Sequence, residues 1–269
     1  MRVVDRTLQL LEALGEDASG VGVTKLAEQL RDAPSTVHRL LAVLVQHRLV
    51  IQDPDSKRYR LGPGVLRLGE AYLRQNSLIS VAQPHLAAVR SRTSESVFLT
   101  EFVNGEAICV ATAESPRQLR FFIRIGQRMP YHAAASAKAI LAFRPPEEAE
   151  VLLRGEALQR FTQTTPTGMD EILAELDQVR QDGYAACDED MEIDVVALAV
   201  PIRDATGETV GSLALVAPKH RLSGVARDAA VTALREEAGE ISSALGHRPS
   251  LAGDDAPPER GPVAAGTTA

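Results

Sequence analysis

The stretch PSTVHRLLAVLVQHRLVIQDPDSKRYRLGP, residues 34–63, decides the fold of the first part of the chain. Pro34 suits the first turn of a helix, where the missing N–H has no intrahelical partner to lose. At the helical step of about 100° per residue, Val37, Leu40, Leu41, Leu44 and Arg48 gather on one side. Ser35, His38, Arg39, Ala42 and Gln46 gather on the other. The polar face thus begins with a hydroxyl, an imidazole and a guanidinium, groups that reach base edges and phosphates when a helix N-terminus enters a major groove. An ordinary solvated helix would show the same face, so the helix alone leaves both readings open. The next residues narrow the choice. Leu49–Gln52 and Lys57–Leu61 are short extended runs around Asp53-Pro54-Asp55-Ser56, a turn-forming cluster. Alternation puts Tyr59 and Leu61 on one face of the hairpin, Arg58 and Arg60 on the other. A basic hairpin directly after such a helix is the order of a winged helix-turn-helix.

Upstream, Val4, Leu8, Leu11 and Leu14 predict a first amphipathic helix, ended by Gly15, Ser19, Gly20 and Gly22. Thr24 is the expected N-cap of a short second helix carrying Leu26, Ala27 and Leu30, and Arg31-Asp32-Ala33 turns into the third. The charge distribution agrees with a nucleic-acid partner better than the total does. The whole chain carries -7, but residues 1–62 carry +1, residues 36–60 carry +3, and the remainder carries -8. A locally basic segment beside an acidic domain is a DNA-binding layout.

Gly62-Pro63-Gly64 breaks the chain, and Val65, Leu66, Leu68, Leu73, Leu78 and Ile79 then predict linker helices. From about residue 80 the pattern becomes α/β. Ser96–Val103 and Glu106–Ala113 read as a hairpin around Asn104-Gly105. Leu119–Ile125 is expected as a further strand, with helices over 133–144, 146–154 and 170–182. Later strands are expected at Tyr184–Cys187, Val195–Ile202 and Thr209–Ala217, and a last helix over 225–245. The length of 269 residues suits roughly two domains. With 45% hydrophobic and 24% charged residues, the composition is that of a soluble globular protein rather than a membrane or disordered one. Two cysteines, Cys109 and Cys187, imply no disulfide framework and suit a reducing cytoplasm. P-loop, GxGxxG, GxSxG and Cys/His zinc spacings are absent from the sequence.

These landmarks, in this order, resemble the IclR family of bacterial transcriptional regulators over about Val3 to Gly246. The resemblance is carried by PSTVHRLLAVL at 34–44, RYRLGP at 58–63, IGQRMPYHAAASAKAILAF at 125–143 and LDQVRQDGYAACDEDMEIDVVALAVPI at 176–202. It implies an α+β chain: an N-terminal winged helix-turn-helix over 1–62, a linker helix over 63–79, and a GAF-like α/β effector-binding domain over 80–246. A disordered tail, rich in Gly, Pro, Ala and Thr, is expected over 247–269. Two positions depart from the family pattern, Ala137 and Asp194, where glycine is usual.

The resemblance also implies the sites. Residues expected on double-stranded DNA are Lys25, Ser35, Thr36, His38, Arg39, Lys57, Arg58 and Arg60, with assembly as a homodimer or dimer of dimers on a pseudo-palindromic operator. Family members that bind small hydrophilic acids place a carboxylate and two hydroxyls around the ligand; the matching positions here are Cys187, Ala214 and Val216. Neighbouring cavity positions are Phe121, Ala135, Ser136 and Ala197. An apolar pocket with an aromatic wall is implied, and so an aromatic or medium-chain organic acid as the small effector. Ser136 and Lys138 could be taken for a nucleophile and its base, but no orienting third group is apparent, and the resemblance implies binding rather than catalysis. Neither cofactor nor metal is expected. His132 reads as a satisfied structural imidazole and the acidic run at 188–194 as a solvated loop. The competing function is a cytosolic small-molecule sensor or enzyme whose N-terminal helices mediate partner contact.

Overall fold

The structure, a computed structural model, describes residues 2–17, 19–118, 121 and 123–248, and the chain divides between Asn76 and Ser77 into two units. The first comprises α1 (Arg2–Glu16), α2 (Val23–Leu30), α3 (Pro34–Gln46), β1 (Val50–Gln52), β2 (Tyr59–Leu61) and α4 (Gly64–Gln75). Its core is Leu10, Leu14, Leu26, Val37, Leu41, Leu44, Val50 and Tyr59. The expected stripe on α1 is displaced: Leu10 and Leu14 are buried, whereas Val3, Val4 and Leu8 are 64%, 63% and 54% exposed. Leu8 and Leu10 are two positions apart and face opposite ways on a helix, so α1 carries two apolar faces and only one enters this core. Gly22, not Thr24, is the N-cap of α2. Arg48 follows the end of α3 with a positive φ of 60°, and so leaves the apolar side where the helical count put it.

The hairpin is antiparallel, with Ile51 opposite Arg60. Asp53 organises its turn, accepting from the Ser56 amide at 2.8 Å and its hydroxyl at 2.8 Å, and these bonds hold its carboxyl below the usual range. Val21 and Tyr59 exchange backbone hydrogen bonds of 2.8 and 2.9 Å, which pin the hairpin to the turn before α2. Gly62 is needed where the chain leaves: a Cβ there would collide with the Arg48 carbonyl.

The second unit is α5 (Ser77–Thr93), β3 (Ser96–Val103), β4 (Glu106–Ala113), α6 (Ala135–Leu141), α7 (Pro146–Arg154), α8 (Met169–Asp182), β5 (Ala185–Asp188), β6 (Val195–Arg203), β7 (Thr209–Pro218) and α9 (Val225–Ala244). The strands form one antiparallel sheet in the order β4-β3-β7-β6-β5. Asn104 and Gly105 turn the first hairpin with φ of 52° and 75°, the conformation such a two-residue turn requires. Helices α5 and α9 pack on one face of the sheet, α6 and α8 on the other. The expected linker over 63–79 is α4 plus the opening of α5, interrupted at Asn76 in an extended conformation. The strand expected over 119–125 is not formed at Phe121 or at 123–125; residues 119, 120 and 122 lie outside the described residues. The tail expectation falls almost wholly on residues 249–269, which also lie outside them.

Candidate functional site

The first unit presents a polar surface built by α3 and the hairpin. Ser35, His38 and Arg39 are exposed on the outer face of α3, and Thr36 is half-buried. Lys57, Arg58 and Arg60 are exposed on the hairpin, while Tyr59 between them fills the core. Arg58 is partly committed, its Nη1 lying 3.4 Å from the Gly20 carbonyl and 3.5 Å from the Ser19 hydroxyl. Lys25, on α2, faces Asp17 at 3.5 Å. The structure thus gathers α3 and hairpin cations on one unit, and ties Arg58 of the hairpin and Lys25 of α2 to the turn before α2.

In the second unit a cavity of about 560 Å³ opens beside the N-terminal end of α6. Alternation along the strands explains it. Cys187, Ala197 and Val216 stand opposite one another on β5, β6 and β7, on the face that carries α6. The row is short in volume, and the space left over is closed by Phe98, Phe121, Ile123, Met129 and Ala135. Polar groups at the wall come from Gln127, Asp190 and Glu192. Of the expected effector residues, Phe121, Ala135, Cys187, Ala197 and Val216 line this space. Ser136 and Ala214 do not; both are fully buried in the layer behind it. The Ser136 backbone carbonyl accepts from the Ser212 hydroxyl at 2.8 Å, and the Ser136 hydroxyl itself is buried without a hydrogen-bond partner. Phe98, Ile123 and Met129 were not foreseen, although the register of Phe98 opposite Ala214 follows from the same alternation.

The rim of the cavity is held by a buried cation. Lys138 on α6 is 1% exposed, and its Nζ donates to Asp190 at 2.7 Å and Glu175 at 2.5 Å. Burial works against its charge, but the acidic groups around it, the Cys187 sulfur with the Asp190 and Glu175 carboxylates, hold the ammonium above the ordinary lysine range. Asp190 therefore belongs to an ion pair, not to a solvated loop. The loop beside it is tied down further: the Thr165 hydroxyl donates to the Asp190 carbonyl at 2.6 Å and that of Thr162 to the Glu189 carbonyl at 2.7 Å. With Lys138 occupied in this way, Ser136 has no base in it.

The remaining candidates are structural. Burial pushes the Cys187 thiol far up and the Cys109 thiol up to about 12, so both stay protonated. His132 is 1% exposed, with its ring nitrogens 2.8 Å from the Gln159 carbonyl and 3.4 Å from Glu156. Burial alone would lower its pKa; the Glu156 and Gln159 hydrogen bonds reverse the sign and raise it. Asp188 and Glu189 pair with Lys219 at 2.8 and 3.3 Å. Among the described residues no group of three His, Cys, Asp or Glu side chains could hold a metal, and no helix is long and apolar enough to cross a membrane.

Comparison with known proteins bears on both units. The profile of the IclR helix-turn-helix domain matches residues 3–54, and that of the bacterial transcriptional regulator IclR C-terminal region matches residues 70–243. The HTH-type transcriptional regulator BhcR of Paracoccus denitrificans is 32% identical over 92% of this chain and 88% of its own. KdgR of Escherichia coli is 30% identical over 88% of this chain and 90% of its own. The crystal structure of the Thermotoga maritima IclR superposes with a TM-score of 0.79 at 27% identity, covering 92% of this chain and all of the other. An IclR homolog from Microbacterium hydrocarbonoxydans, solved in complex with 4-hydroxybenzoate, gives 0.77 at 26% identity over 90% of this chain and 98% of its own.

Proposed function

As the chain belongs to the IclR family of bacterial transcriptional regulators, we propose that it binds a pseudo-palindromic operator as a dimer in the cytoplasm and releases or engages it on binding an aromatic or medium-chain organic acid. That it is a DNA-binding regulator with a C-terminal effector-binding domain, and not an enzyme, comes with the family. On the proposed operator Ser35, Thr36, His38 and Arg39 read bases, while Lys57, Arg58 and Arg60, with Lys25, hold phosphates. One recognition helix reads only a few base pairs, so paired half-sites about one or two helical turns apart supply the remaining specificity.

The observation that carries the effector reading is the cavity wall, where Cys187, Ala197 and Val216 offer a protonated thiol, a methyl and an isopropyl group. A small polar acid would lose water contacts against that wall at roughly 1–3 kcal/mol per unpaired group. An aromatic body would gain about 25 cal/mol per Å² buried. A carboxylate at the other end can meet the side-chain amide of Gln127 at the wall. The complex of the Microbacterium homolog with 4-hydroxybenzoate supports the same chemistry. The ligand controls transcription by binding one arrangement of the protein better than another, and operator affinity changes by the same factor.

A mobility shift on the upstream region of the protein's own gene tests both halves. Aromatic acids should change operator affinity at lower concentration than pyruvate or glyoxylate; the reverse order would refute the effector reading. His38→Ala should cost about 1–3 kcal/mol on the operator and less on random DNA, whereas Arg58→Ala should weaken both and flatten the salt dependence. Equal specificity ratios for the two variants across salt concentrations would refute the division of roles.

A further inference from the structure

We propose that an open groove near the C-terminal end of α6, distinct from the effector cavity, is a second ligand site, for a small metabolite bearing a phosphate or carboxylate. Topology creates the groove. β5 has four residues and β6 has nine, and β5 pairs only as far as Ala199, so β6 from Val200 onward has no strand beside it there. The opening has a volume of about 980 Å³ and lies between the end of α8, this half of β6, and α9. Helix α6 separates it from the effector cavity: Ala135, its first residue, lines the cavity, and Phe143, two positions past its last, lines the groove. Every residue of α6 is buried.

The charges in the groove are unevenly spent. Arg180 donates to Asp177 and to the Ala142 carbonyl, so that pair is closed. The Asp182 carboxylate accepts from Gln178 at 2.9 Å. Arg203 and Arg235, in contrast, have no carboxylate partner among the described residues. Arg203 lies over the Phe143 ring at 4.9 Å, and Arg235 lies over Tyr184 at 5.3 Å while donating to the Asp182 carbonyl. Asp177, Arg180 and Asp182 line the groove from α8, Arg203 from β6 and Arg235 from α9, and His247 adds a further titratable group. A guanidinium stacked on a ring is held in orientation by its face, which leaves its N–H edges for a planar or tetrahedral oxyanion. Two such groups in one open groove bind an anion better than either does alone in water.

Calorimetry on the full chain with inorganic phosphate and with citrate, at constant ionic strength set by chloride, tests the site. Saturable binding of phosphate, citrate or both is expected, and the tighter probe says whether phosphate or carboxylate is the natural group. Arg203→Gln should weaken binding about tenfold or more, and Arg203→Lys, which keeps the charge and loses the planar fork, should fall between. Arg90→Gln, an exposed charge removed from α5 away from the groove, should change nothing. Melting temperatures report whether each variant is folded, and the lysine variant keeps the test alive if the glutamine variant is not. No saturable binding of either probe, or equal binding by wild type and R203Q, would overturn the proposal.

Discussion

The two faces of the second unit's sheet are built from the same strands and do opposite things. Toward α5 and α9 the strands point Val97, Leu99, Leu198, Ile202, Leu213 and Leu215, and that layer is closed. Toward α6 they point Ala185, Cys187, Ala197, Ala199, Ala214 and Val216. Alternation gives each strand both sets, so a shift of one residue in register would exchange core and cavity. Small side chains do two jobs on the second face: they let the alanine-rich α6 come close, and beyond its N-terminus they leave a space. The lesson is that the binding volume is made by small residues on one face, while the other face is filled by large aliphatic side chains.

The largest effect expected from breaking this comparison is on Lys138, the buried cation beside the small-residue face. Lys138→Met keeps the bulk and leaves Asp190 buried without its cation, which should destabilise the second unit by about 3–5 kcal/mol in urea unfolding. A loss under 1 kcal/mol would show that the pair is not what holds the rim. Next come matched substitutions one residue apart on β6. Leu198→Ala on the closed face should cost about 2–5 kcal/mol and leave ligand affinity intact. Ala197→Leu on the open face grows into free space, so it should cost less than about 1.5 kcal/mol while abolishing binding of an aromatic acid. Equal effects of the pair on stability and on calorimetric affinity would erase the distinction between the faces.

The smallest expected effect is a pH dependence from His132, which sits beside the small-residue layer. Its folded pKa is raised above the unfolded value of about 6.5. Its stabilising contribution is therefore fully present below about pH 6.5 and is lost as the pH rises through the folded value. For one proton the slope cannot exceed about 1.4 kcal/mol per pH unit. Urea unfolding of wild type and Glu156→Gln between pH 6 and 9 should converge at the alkaline end; a wild-type stability that rises with pH over this range would contradict the assignment.

What the residues revealed depended on how local the cause was. The Asp53 turn, the Asn104-Gly105 hairpin and Pro34 at the head of α3 were legible because each is decided by the backbone preferences of adjacent residues. Cys187, Ala197 and Val216 were named as cavity positions through the family resemblance, and the strand register then sets them opposite one another on one face. The failures had non-local causes. Residues 119–125 have β-rich composition, but Phe121 is drawn to the cavity wall instead of a sheet edge. On α1 the residues Val4, Leu8, Leu11 and Leu14 are as periodic as the buried pair Leu10 and Leu14, and only the position of α2 and β2 chooses between them.

By itself the sequence determined most of the order of elements and the basic hairpin after α3, since propensity, turn chemistry and period act over a few neighbouring positions. Tertiary structure alone decided which partners meet. Lys138 finds carboxylates 37 and 52 positions away, the Ser212 hydroxyl finds the backbone carbonyl of Ser136, and the short β5 exposes half of β6 beside Arg203 and Arg235. The physical reason is the same in each case. A buried charge or hydroxyl takes whichever partner the packing brings within about 3 Å, and no pattern along the chain encodes that distance.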